Sequence, residues 1–79
     1  MAQRLIFRYD KIGDILYVDK CRPYPEQESE MLDDEIIVRL NPDTDEVEAL
    51  EILWFKKRLD AGEDLVLPLD AHLHLAVEA

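Results

Sequence analysis

Two turn sequences, each set between strand-like runs, constrain this chain more than any other feature. Asp10-Lys11-Ile12-Gly13-Asp14 separates Arg4-Leu5-Ile6-Phe7-Arg8-Tyr9 from Ile15-Leu16-Tyr17-Val18-Asp19-Lys20. Asn41-Pro42-Asp43-Thr44-Asp45 separates Glu35-Ile36-Ile37-Val38-Arg39-Leu40 from Glu46-Val47-Glu48-Ala49-Leu50-Glu51-Ile52-Leu53. In the first turn Gly13 can take positive φ without a Cβ clash, and aspartates suit the flanks. In the second, Pro42 has its φ already set for the second turn position. The flanking runs are rich in β-branched and aromatic residues, so each turn closes a hairpin. Glu, Ala and Leu also favour helix over 46–53, but the preceding turn and the hairpin-like spacing tip that run to strand.

Between the hairpins, Cys21-Arg22-Pro23-Tyr24-Pro25 reads as an extended connection, because two prolines fix φ and remove two donors. Residues 26–32 admit helix or strand; the alternation of Glu26, Glu28 and Glu30 suits an exposed edge strand guarded by charge. Trp54-Phe55-Lys56-Lys57-Arg58-Leu59-Asp60-Ala61 reads as a short helix stopped by Gly62, with cations toward its C-terminal half. Leu65–Leu69 is extended and interrupted by Pro68. Alternation over 71–77, with Leu73, Leu75 and Val77 opposite His72 and His74, predicts a last strand at an edge within a C-terminal extension, 62–79. The fold class is α+β: a small antiparallel β-meander of about four to six strands with one short helix in the C-terminal half.

Several runs carry apolar side chains on both faces. Ile6 opposes Leu5 and Phe7, Leu16 and Val18 oppose Ile15 and Tyr17, and Ile37 opposes Ile36 and Val38. A sheet with one wet face alternates more cleanly. One short helix covers part of one face, so the terminal segment or a second copy must cover the rest. With 79 residues, no internal repeat and no linker, the chain reads as a single domain, 1–79, and as a homodimer.

Charge narrows the function classes. The chain holds 19 acidic and 9 basic side chains, a formal net charge of −10. Residues 1–25 carry +2, residues 26–51 carry −10, and residues 52–79 carry −2. The balance repels phosphate backbones, so nucleic acid is not an expected partner, whereas a basic protein is. No apolar run reaches the ~20 residues that span a bilayer, so no membrane contact is expected. The first nine residues lack the long apolar stretch of a secretory leader, and a single cysteine makes no internal disulfide; both point to the cytoplasm.

Tyr9-Asp10-Lys11-Ile12-Gly13-Asp14-Ile15-Leu16-Tyr17-Val18, then Asp33-Asp34-Glu35-Ile36-Ile37-Val38, then Val47-Glu48-Ala49-Leu50-Glu51-Ile52-Leu53, resembles the small prokaryotic family called domain of unknown function 2283. The resemblance covers residues 7–59. Ala49 stands where many members have glycine, and Trp54-Phe55 replaces a more polar stretch. It implies a compact β-meander with a C-terminal helix and no assigned activity. Some members are encoded beside small toxin-like proteins, which implies an antitoxin-like role for those members. No functional residue carries over.

The candidate sites are few. His72 and His74, two apart on a strand, present both imidazoles to one side and define the sharpest metal candidate. A third ligand would come from Asp70, Glu78 or a second copy. The plainer reading is a polar edge. Cys21 lies between Lys20 and Arg22, which would lower its pKa slightly, yet no histidine is near in sequence to activate it. Neither Asp33-Asp34-Glu35 nor Asp43-Thr44-Asp45-Glu46 has the spacing of a calcium loop. Nothing raises one carboxyl of Asp10/Asp14 or Glu28/Glu30 above its fellow for acid–base work. No phosphate loop or nucleophile elbow is present, and no cofactor is implied. A partner surface, if the chain has one, falls on Glu26, Glu28, Glu30, Asp33 and Asp34, or on Trp54 and Phe55; packing and solvation are the plainer roles for all of them. The leading expectation is therefore a non-enzymatic acidic interaction module, antitoxin-like in its most concrete form. The alternatives are a metal-binding or small enzyme domain built on His72 and His74, and a structural protein.

Overall fold

Both expected hairpins form. The computed structural model describes residues 4–33 and 35–76. The strands are β1 (Ile6–Asp10), β2 (Ile15–Asp19), β3 (Glu28–Leu32), β4 (Ile36–Leu40) and β5 (Val47–Leu53), followed by helix α1 (Phe55–Ala61). All pairings are antiparallel, in the order β1-β2-β5-β4-β3. β3, β4 and β5 follow one another as a meander. The connection after β2 instead crosses one end of the sheet to the far edge, which leaves β5 room to pair with β2. Of the 26–32 segment, Glu28–Leu32 forms an edge strand and Glu26 lies in the turn before it.

The turns work through side chains. Asp10 Oδ1 accepts from the N–H groups of Ile12 and Gly13 at 3.0 and 3.1 Å. Gly13 does not take positive φ; Asp14 does, at 56°. A Cβ at Gly13 would lie 2.8 Å from Asp10 Oδ2, so a larger residue there would shift the Asp10 carboxylate. In the second turn Asn41 Oδ1 accepts from Asp43 and Thr44, and the left-handed residue is Asp45 at φ 60°. Gly62 ends α1 in the left-handed conformation, its N–H reaching the Leu59 carbonyl.

Register and the two-residue period assign the faces. Tyr9, Leu16, Ile52, Ile36 and Leu32 form one row of the front face; Phe7, Val18, Leu50, Val38 and Glu30 form the next. The core lies on the inner strands: Ile36, Val38, Ala49 and Ile52 are buried. The ring of Phe55 tilts against Tyr9 with centroids 6.0 Å apart, seating the helix at the β1 side. Val66, Leu67 and Pro68 share a shallow cleft with Leu32 and Ile36, which seats the terminal segment at the β3–β4 side.

The rear face is ionic rather than oily. Asp19, Tyr17, Glu51 and Arg39 alternate there with Ile6, Ala49, Ile37 and Met31. Arg8 pairs with Asp19 at 2.9 Å and stacks over Tyr17 at 4.6 Å, while Arg39 pairs with Glu51 at 2.6 Å. Asp19 and Glu51 are buried beneath these guanidinium stems, which roof apolar surface and keep their charge wet. The second face is thus partly covered from within.

One expected element is absent. Residues 71–76 form no strand, and Val77 lies outside the described residues. The sheet ends at β1 and β3, neither of which receives a sixth strand among the described residues. Leu73 and Leu75 are 78% and 95% exposed, so their alternation finds no face to bury. Pairing geometry, and not period alone, makes a strand.

Candidate functional site

Two carboxylates organise the ends of the sheet. Asp14 opens β2, yet it serves α1. Its Oδ1 accepts from the Lys56 N–H at 2.7 Å, its Oδ2 from the Lys57 N–H at 3.4 Å, and its carbonyl from the Phe55 N–H at 3.1 Å. Trp54, at the N-cap in left-handed conformation, offers no side-chain cap. Asp14 supplies the missing acceptor from across the fold, satisfying donors that every helix leaves open at its start. The Tyr9 hydroxyl donates to the same carboxylate at 2.7 Å. Lys56 and Tyr9 together hold the Asp14 carboxyl below the ordinary range, and the hydrogen bond to Asp14 raises the Tyr9 phenol.

Glu48 does the equivalent work at the opposite end. Its carboxylate accepts from the Tyr24 hydroxyl at 2.5 Å, Gln27 Nε2 at 3.0 Å and Asn41 Nδ2 at 3.3 Å. Tyr24 and Gln27 belong to the crossover between β2 and β3, so one carboxylate pins the segment that the prolines extend. These donors lower the Glu48 carboxyl, and the shared bond pushes the Tyr24 phenol up to about 12. Both hubs serve the fold by this geometry: each carboxylate oxygen accepts at least one hydrogen bond from the chain's own donors.

The sequence-derived candidates scatter. Glu28 and Glu30 lie exposed on edge strand β3, with Glu26 exposed just before it and Asp33 just after; Asp34 lies outside the described residues. Trp54 and Phe55 part company. Phe55 packs on Tyr9, whereas Trp54 remains 49% exposed, its indole N–H donating to Glu35 and its ring 5.8 Å from Lys57 Nζ. Trp54 and Lys57 line a second shallow cleft with Glu35, Arg58, Ala61 and Glu63. His72 and His74 are exposed on the irregular tail, and no group of three His, Cys, Asp or Glu side chains suited to a metal gathers among the described residues.

Cys21 differs from its sequence expectation. Burial, with the Glu48 and Asp19 carboxylates beside it, pushes the thiol up, and Lys20 offsets this only partly. A raised thiol is protonated at neutral pH and is a poor nucleophile. Sequence reasoning also missed the hubs. Tyr9 and Asp14 lie five residues apart in the turn sequence, but the amide that Asp14 caps is 42 residues on.

The fold defines a class, a five-stranded antiparallel sheet with a short helix docked at one end. The family of proteins of unknown function DUF2283 matches residues 6–56, and the chain belongs to that family. Comparison with curated proteins and with solved structures gives no match. Within the matched span, Tyr9, Asp10 and Asp14 build a turn and cap a helix.

Proposed function

We propose that this protein is a non-enzymatic interaction module whose acidic edge, centred on β3, receives a basic protein partner. The observation that carries the reading is the chemistry of that edge. Glu28, Ser29, Glu30 and Met31 are all exposed on a strand with no outer strand among the described residues, Glu26 and Asp33 extend the negative charge at either end, and Val66, Leu67 and Pro68 approach its end at Met31, Leu32 and Asp33. An extended basic segment added there gains main-chain hydrogen bonds from the open edge and charge contacts from the glutamates. The two clefts are shallow, and the carboxylate hubs accept from the chain's own donors, so neither favours chemistry on a small substrate. An antitoxin-like role, in which this edge masks a basic toxin in the cytoplasm, is the most concrete form of the proposal.

Rim charges act chiefly on association rate and are screened over about 8 Å at physiological ionic strength. The test joins a pull-down from native lysate to association kinetics, with a synthetic alternating Lys-Val peptide as defined probe. The triple variant Glu26→Gln, Glu28→Gln, Glu30→Gln is expected to slow association and to flatten its salt dependence while the fold survives. An on-rate indifferent to both the substitutions and salt overturns the proposal and moves attention to Trp54.

A further inference from the structure

The other edge of the sheet has the opposite character. β1 and the residue before it expose apolar side chains: Leu5, Ile6, Phe7 and Tyr9 are 44%, 54%, 63% and 42% exposed, Ile6 on the face opposite Phe7 and Tyr9. An edge strand that is apolar on both sides and carries open backbone donors and acceptors calls for a neighbouring strand. Among the described residues no strand other than β2 pairs with β1, α1 meets it at Tyr9, and Val66, Leu67 and Pro68 of the tail lie at the β3–β4 side.

The segment is also complementary to itself. Read antiparallel about Phe7, Arg4 falls opposite Asp10, Leu5 opposite Tyr9, Ile6 opposite Arg8, and Phe7 opposite its own copy. The odd-numbered residues share the front face, so this register lines Leu5, Phe7 and Tyr9 against their partner equivalents in one apolar strip. The even-numbered residues share the rear face, where opposite charges meet twice across the two-fold axis, Arg4 of each protomer against Asp10 of the other. Such pairing is isologous and closed, so it stops at two copies. It also places the two acidic β3 edges at the far ends of a continuous sheet, where their repulsion is weakest and both remain accessible.

We infer that β1 is a homodimer interface in which two copies pair antiparallel about Phe7 to make one ten-stranded sheet. This goes beyond the acidic-edge reading and stands or falls without it, because the two edges lie on opposite sides of the molecule.

Sedimentation of the full chain at about 100 µM tests it. The native protein is expected at about twice 9.3 kDa. Phe7→Lys is expected to halve that mass while circular dichroism stays native, since Phe7 is exposed in the single chain. Arg4→Glu, which sets like charges across the axis, is expected to weaken dimerisation at least tenfold, with recovery toward native at high salt. Position is read separately in a Cys21→Ser background. Phe7→Cys should cross-link to its own copy under mild oxidation, whereas Glu28→Cys on the opposite edge should not. A native mass of 9.3 kDa, a folded Phe7→Lys variant that remains dimeric, or cross-linking through Glu28→Cys in place of Phe7→Cys overturns the inference.

Discussion

β1 and β4 are close in composition and opposite in fate. Arg4-Leu5-Ile6-Phe7-Arg8-Tyr9 and Ile36-Ile37-Val38-Arg39-Leu40 are both short apolar runs interrupted by arginine. Ile36 and Val38 are 2% and 3% exposed, whereas Ile6 and Phe7 are 54% and 63% exposed. The difference is place. β4 has β5 on one side and β3 on the other, and its front face lies toward the terminal segment at Leu67. β1 has β2 alone. An apolar strand is therefore not thereby a core strand; an edge position turns the same pattern into a surface that must be paired or tolerated.

Substitution sharpens the contrast most. Ile36→Ala removes packed atoms from the core and is expected to lower unfolding free energy by about 3 kcal/mol. Phe7→Ala, measured at a concentration low enough to be monomeric, is expected to lose less than about 1 kcal/mol. Urea denaturation of both variants checks the pair. Comparable losses would mean that β1 is covered within the single chain.

The carboxylate hubs come next, because they tie the two sides together, Asp14 joining the β1–β2 hairpin to the helix and Glu48 holding the crossover toward β3. Asp14→Asn and Glu48→Gln are each expected to lower the melting temperature by a few degrees at neutral pH. Both carboxyls are held below their ordinary values in the folded chain. Their contribution is thus complete above the ordinary carboxylate range, about pH 4, and is lost as pH falls through the lowered values. Tyr24 has the opposite sign. Raised from 10.0 to about 12, it stabilises fully below pH 10 and ceases to as pH rises through about 12. Melting curves across pH should show both limbs, with Asp14→Asn and Glu48→Gln flattening the acid side and Tyr24→Phe the alkaline side. An acid limb unchanged in both carboxylate variants would place the titrating groups elsewhere.

The smallest effect is expected at the tail. His72→Ala with His74→Ala should leave the melting temperature within about 1 °C of native, with or without zinc. A zinc-dependent rise that the double variant abolishes would give the tail a metal.

What could be read locally was read correctly where the deciding interactions are local. Asn41 holds its turn through amides two and three residues on, and Gly62 stops α1 through a bond back to Leu59. Gly13 shows the limit even at short range: the left-handed position of its turn falls on Asp14 instead, and the glycine meets the Asp10 side chain. At the tail, period without a partner gave no strand over 71–76.

By itself, then, the sequence determined the two hairpins, the prolines of the crossover, the acidic alternation of β3 and the short helix. Each rests on backbone preference or on contacts within a few residues, which any chain of that composition meets. Tertiary structure alone decided that β5 lies between β2 and β4, that β1 is left at an edge, that Asp14 caps a helix 42 residues on and that arginine stems roof the rear face. These outcomes depend on which distant segments pair with one another. The free energy of that choice is a sum over the whole sheet, so no window of the sequence contains it.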